Sequence, residues 1–285
     1  MVQQPIHRRR RRVSGREQAV VYILLALGAL IMLFPLIDMV LMSFKSMSEI
    51  GTAPVGLPQT WLFSNYGTAW SQGNLGQYLV NSAIVSACSV VFVLLLSSLA
   101  AYVLARFEFP GNAFIYLLFL AGLALPIQLI AVPLFIIMKD LSLLNTLISV
   151  ILVYTASGMS FSVFLLVNFF RTIPVDLEEA ASIEGANSLS IYWLIMLPLL
   201  RPAFTTVGLF NFVSSWNALF FPLIFLNDNS KMTVTVGVLS FVGQYSTQWN
   251  LLLPALVIIT LPTVLVCIVA SRQFIRGLTA GALRM

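Results

Sequence analysis

Glu179-Ala180-Ala181, three residues, Gly185, nine residues, then Ile195-Met196-Leu197-Pro198: this stretch decides how the chain is read. Pro174 suits a first helical turn, where a missing N–H costs nothing. Asp176, Glu178 and Glu179 follow it, where carboxylates complement a helix N-terminus. Ala180 and Ala181 are strong helix formers and leave a low surface that another backbone can approach. Gly185 suits a left-handed C-terminal cap. Asn187 and Ser188 are good N-caps for a second helix carrying Ile191, Trp193, Leu194 and Ile195. Pro198 and Pro202 separate that helix from the next apolar stretch. The spacing predicts two short helices at a sharp turn. Taken one residue at a time, the stretch is an ordinary amphipathic connector. The whole pattern E-A-A-x3-G-x9-I-x-L-P is much harder to obtain by chance.

The rest of the chain places this turn against a membrane. Hydrophobic residues make up 59% and charged residues 9%, and mean hydropathy is +0.97. A soluble domain carries about 25% charged residues. A span takes roughly 20 apolar residues, and six stretches reach that length: about 20–42, 83–104, 113–138, 147–170, 203–226 and 251–271. The first runs past a signal-peptide core and lacks an A-x-A site, so it reads as a retained span. An inside N-terminus puts twelve of the fifteen basic residues in the cytoplasm, among them Arg8 to Arg12, Arg106, Arg171 and Arg201. Only Lys45, Lys139 and Lys231 then face outward. Both termini are expected inside, and the acidic turn lies on an otherwise arginine-rich face. The basic tail reads as a topology and lipid anchor, not a nucleic-acid site.

Much chemistry is excluded. Asp38 is the single charge within a predicted span, and at 1.5 Å per residue it lies roughly 27 Å beyond Val20, at the outer interface. No mid-depth Asp, Glu or His is available for an ion relay. The one histidine, His7, sits in the arginine tail, so zinc chemistry and a Ser-His pair are both out of reach. No G-x-x-x-x-G-K-[ST] loop exists to bind ATP. Gly158 and Ser160 echo a G-x-S element, but without a base they read as helix-packing residues. Cys88 and Cys267 fall at different depths and read as small packing residues. The chain reads as no enzyme, with no cofactor or metal of its own, and its energy source lies outside the membrane.

The spaced pattern resembles the EAA loop of bacterial ABC importer permeases. Further runs are similar to the carbohydrate uptake family 1, the branch that includes the inner permease of maltose-type importers. They include Asn81-Ser82, Ala101-Tyr102-Val103-Leu104-Ala105-Arg106-Phe107 with Phe109-Pro110-Gly111, Pro126 to Phe135, and Leu144-Asn145-Thr146. Phe169-Phe170 through Ile173-Pro174, Trp216-Asn217 and the tail Gly277 to Ala282 complete the set. The arginine-rich N-terminus and the ending Leu283-Arg284-Met285 depart from the family pattern. The resemblance implies an all-α type I ABC importer permease fold of six transmembrane helices in a bacterial inner membrane. Its parts would be a basic tail, first helix and outer loop (1–75), a permease core (76–272) and a cytoplasmic tail (273–285). It also implies partners: an ABC ATPase dimer holding ATP and Mg, a second and non-identical permease, and an extracytoplasmic solute-binding protein. By carry-over, Asp176, Glu179, Ala180, Ala181 and Gly185 would dock the ATPase.

Gln128, beside the bend at Pro126, is a candidate for a sugar path, with Asn211, Trp216 and Asn217 of the fifth span. Amides bond hydroxyls and an indole stacks on a sugar face; the same residues also serve interhelical packing. Trp61, Tyr66 and Trp70 suggest a partly helical flap on the outer side. The segment from Asn227 to Asn250 is polar, with Asp228, Lys231, Gln244 and Gln248; the resemblance implies that it meets the solute-binding protein, and the alternative is a connector whose Tyr245 and Trp249 sit at headgroup level. An importer for a non-sugar solute such as glycerol phosphate stays open, as does a membrane scaffold without transport.

Overall fold

Proline, glycine and left-handed asparagine set the ends of the helices into which the apolar stretches fold. The computed structural model describes residues 15–282 except Gln244, with side chains over 17–270. The arginine run 8–12 and Leu283-Arg284-Met285 therefore lie outside the described residues. In chain order come α1 (Gly15–Met42), α2 (Met47–Thr52), α3 (Ser64–Gln72), α4 (Leu75–Arg106), α5 (Asn112–Ala124), α6 (Ala131–Asp140) and α7 (Leu147–Thr172). Then follow α8 (Asp176–Ile183), α9 (Ser188–Ile191), a π-helical turn over Tyr192–Met196, α10 (Leu197–Leu199) and α11 (Arg201–Asn217). The chain continues through α12 (Phe220–Phe225) and α13 (Val234–Gly237) to α14 (Trp249–Ala282). Among the described residues the extended pairing is one isolated bridge, Val242 with Thr247.

Four helices are long and apolar enough to cross a membrane (α1, α4, α7 and α14), and six segments are when each of two bent pairs counts as a span. The third segment breaks where expected. Pro126 disfavours helix for the residue before it, Leu125 is extended at φ −92° and ψ 117°, and the two halves meet at 96°. The fifth segment differs from the single run expected over 203–226. Helix α11 stops at Asn217, Ala218 turns extended at ψ 131°, and α12 starts afresh at Phe220. Helix α4 also begins at Leu75, earlier than the apolar run near 83 suggests, because its first turns are polar and Asn74 takes a left-handed φ of 48°.

Small residues bring the central helices together. Ser82, Ser86, Ser89, Ser97 and Ala101 are buried along α4, which forms the largest helix pair with α7 and also packs on α11. Such residues allow close backbone approach where hydrocarbon gives no hydrophobic drive between helices. Gly158 and Ser160 do pack helices. A Cβ on Gly158 would stand 2.2 Å from Asn211 Oδ1, and one on Gly122 would stand 2.3 Å from Ser160 Oγ. Cys88 and Cys267 are free and half-buried.

Several family-like runs prove to be clamps. Asn81 Nδ2 donates to the carbonyls of Ser230 and Met232, both at 2.9 Å, and Ser82 Oγ accepts from the Val234 N–H at 2.8 Å. Asn145 Oδ1 accepts from the N–H groups of Asn227 and Asp228 at 3.1 and 3.0 Å, which pins the chain leaving α12. Lys45, on the side of the membrane expected to face outward, is buried. Its ammonium donates to the Ala53 and Pro54 carbonyls at 2.7 and 3.2 Å. Phe44 beside it gathers the rings of Trp61, Phe63 and Tyr66, so the 43–66 segment is a folded cap.

Candidate functional site: an exposed helical turn and a polar cavity

Helix α8 follows a short extended link at Ile173 and carries Asp176, Glu178 and Glu179 in its first turn. Pro174 stands ahead of that turn, not inside it. Asp176, Glu179, Ala180 and Ile183 line the outer side, and their spacing of three, four and seven residues sets them in one stripe. Ile183 is 88% exposed. Ala181 turns the other way and is buried against the bundle, with Ile191, Tyr192 and Phe170 in the same cluster. Of the five residues assigned to docking, four therefore lie at the surface and Ala181 packs beneath.

The turn after α8 has the chemistry its sequence predicts. Gly185 takes φ +89°. Its N–H bonds to the Ser182 carbonyl and the Ala186 N–H to the Ala181 carbonyl, both at 3.0 Å. That pair of bonds is a Schellman motif. Nothing lies within 4 Å of a Cβ built on Gly185, so the requirement there is conformational. Asn187 caps α9, its Oδ1 accepting from the Ser190 N–H at 2.8 Å. Leu189 and Leu194 beyond it are 64% and 76% exposed. The free face is thus acidic at one end and apolar at the other.

One member of the acidic cluster faces inward. Glu178 Oε1 pairs with Arg106 Nε, and both side chains are largely buried. Glu178 Oε2 accepts from the Tyr102 hydroxyl at 3.1 Å, and Arg106 Nη2 donates to the Ile173 carbonyl at 2.8 Å. Tyr192 packs near Tyr102, ring centres 5.3 Å apart, and its hydroxyl lies 2.7 Å from Ser98 Oγ. The sequence alone marks Arg106 only as a positive charge near a membrane face. Its partner lies 72 residues away, beyond the reach of any local pattern.

A second feature lies within the bundle. A cavity of about 450 Å³ is lined by Gln128, Tyr154, Ser157, Phe161, Asn211 and Ser214, among others. Gln128 and Asn211 are thereby brought together. Asn211 Nδ2 also donates to Ser162 Oγ at 3.0 Å and to the Val207 carbonyl at 2.9 Å. Trp216 and Asn217 are not among the lining residues. The Trp216 indole is buried, stacks on Phe212 and donates to the Ile259 carbonyl at 2.9 Å, which ties α11 to α14. Asn217 is exposed and donates to the Val213 carbonyl of its own helix. Tyr154 escapes a reading from sequence. Its hydroxyl is buried with no hydrogen-bond partner among the described residues. Tyr154, Ser157, Gly158 and Phe161 share one face of α7 by helical spacing, which is the signal that could have found them.

Outside the bundle, Asp228 is held below the usual carboxylate range by hydrogen bonds from the Ser230 N–H and hydroxyl. Tyr245 is 95% exposed beside the Val242–Thr247 bridge.

Comparison with known proteins agrees with this architecture. Residues 93–274 match the family described as binding-protein-dependent transport system inner membrane component. The chain is 38% identical over 271 residues to the diacetylchitobiose uptake system permease protein NgcG of Streptomyces coelicolor, an alignment covering 94% of this chain and 90% of that one. It is 31% identical to the melibiose/raffinose/stachyose import permease protein MelC of Bacillus subtilis, over 96% and 99% of the two chains. Its fold is similar to a chain in the crystal structure of a bacterial ABC transporter involved in the import of the acidic polysaccharide alginate. The TM-score is 0.80 at 24% identity, over 92% of this chain and 99% of that chain. With a family match over more than half its length and relatives aligned almost end to end, the chain belongs to the binding-protein-dependent transport system inner membrane components, as a multi-pass ABC importer permease.

Proposed function

We propose that this permease forms half of the translocation path for a sugar or oligosaccharide, and that separate ATPase subunits drive it by docking on the exposed face of α8 and α9. The observation that carries the reading is the outer stripe of Asp176, Glu179, Ala180 and Ile183 next to a Gly185 turn with open space around it. An amphipathic helix with an unfilled outer face suits a groove on a partner protein. ATP and Mg would be held by that partner. Closure of two ATPases would draw the docking helices together and turn the cavity outward, as rigid-body alternating access. A non-identical second permease completes the path, and a solute-binding protein meets the far side near Tyr245. Both termini then lie on the ATPase side, in line with the excess of arginine there.

Sugar is favoured as cargo by the names of the diacetylchitobiose and melibiose relatives and by the cavity. Its lining offers amides, hydroxyls and rings but no Lys or Arg among the described residues, so a phosphorylated solute would find no counter-charge along that lining. Ala181 supports the docking helix from beneath. Glu179→Lys, which reverses a charge on the outer stripe, is expected to leave membrane insertion intact, weaken ATPase co-purification and reduce uptake. Unchanged co-purification and uptake would rule out the docking role.

A further inference from the structure

We infer that the Arg106–Glu178 pair is the joint through which movement of the docking helix reaches the transmembrane bundle; this rests on the reading of α8 as the ATPase dock. The pair joins two segments that the sequence leaves separate. Arg106 is the last residue of α4, in the Ala101 to Phe107 run, and Glu178 directly precedes Glu179 in the docking helix. The contact is made at three points. Arg106 uses Nε on the carboxylate and Nη2 on the Ile173 carbonyl, while the Tyr102 hydroxyl holds the second carboxylate oxygen. A guanidinium can do this because its donors form a rigid planar fork.

The surroundings make the joint stiff. The Arg106 and Glu178 side chains are only 9% and 13% exposed. Tyr102 is wedged among Phe107, Phe170 and Tyr192, with ring centres 5.3–5.7 Å away. By contrast, α8 itself is an eight-residue helix whose one buried residue is Ala181. A small methyl alone is a poor handle for moving a bundle. The helix on the other side of the joint is α4, which packs along both α7 and α11, the two helices that carry much of the cavity lining. A push on α8 is therefore delivered to the helix that touches both cavity walls. A buried ion pair is weak evidence for stability but fixes geometry well, and geometry is what a transmission joint needs. Arg106 and Glu178 are positioning residues here; neither touches solute nor nucleotide.

The test uses the complete assembly, purified from membrane and reconstituted, with Ser214→Cys as a reporter in a Cys88→Ala, Cys267→Ala background. Maleimide labelling of that thiol is compared with and without ATP plus vanadate. The background protein should label at a nucleotide-dependent rate. Glu178→Gln should retain the ATPase subunits at full stoichiometry yet lose that dependence at least about fivefold, within the range of ordinary coupling energies. Arg106→Glu combined with Glu178→Arg remakes the charge pair without the bonds to Ile173 and Tyr102, and should restore it in part. Arg106→Lys keeps the charge but loses the fork, and should be intermediate; it serves if Glu178→Gln does not assemble. Full nucleotide dependence in Glu178→Gln, or failure of the charge-reversed pair to restore any, would overturn the joint. A background assembly without ATPase subunits would instead sink the docking reading, so the two failures are distinguishable.

Discussion

Gln128 and Trp216 are both candidates for one sugar path by residue type, yet the folded chain gives them different work. Gln128 lines the cavity, whereas the Trp216 indole is buried and spends its N–H on Ile259. Gln128→Ala should raise the KM for uptake severalfold and leave the thermal stability of the purified complex unchanged. Trp216→Phe should do the reverse, costing about 1 kcal/mol for one lost hydrogen bond with KM unmoved. A KM change in Trp216→Phe without loss of stability would return the indole to the path. Residue type was legible in both cases; facing was not, because it rests on the break at Pro126 for Gln128 and on the packing of α11 against α14 for Trp216. Tyr154 is hard to read because, on an apolar span, a tyrosine at helical spacing looks like packing until its hydroxyl is seen without a partner among the described residues.

At the scale of elements, the α8–α9 turn is where local chemistry carried furthest. Gly185 as a left-handed cap and Asn187 as an N-cap are set by backbone rules that act within a few residues, and both are present. Gly185→Ala meets no atom, so its cost is that of a left-handed backbone bearing a Cβ, about 1–2 kcal/mol. The C-terminal end of α8 should fray first: amide exchange at Ala186 should accelerate while the α4 core is unaffected. Equal exchange in both proteins would mean that the Schellman bonds do not hold the turn. The expected 203–226 span shows the limit of this approach. Hydropathy alone does not register a break at Ala218 and Leu219, since both residues are apolar. The clamps by Asn81 and Asn145 were equally hidden, because each closes on a segment more than 80 residues away.

For the whole molecule, the all-helical membrane class followed from composition and the length of the apolar stretches, which are global properties. The Arg106–Glu178 ion pair did not follow, since it joins segments 72 residues apart. The proposed grip of a separate ATPase on this permease is the exposed turn. The most direct measurement is gentle extraction of the tagged chain from its native membrane, with its stoichiometric companions identified by mass spectrometry and chemical crosslinks mapped. An ATPase and a second permease are expected in the recovered complex, with crosslinks from the ATPase to residues 176–189. Repeated recovery of the chain alone in mild detergent, or ATPase crosslinks that avoid this turn, would contradict that grip.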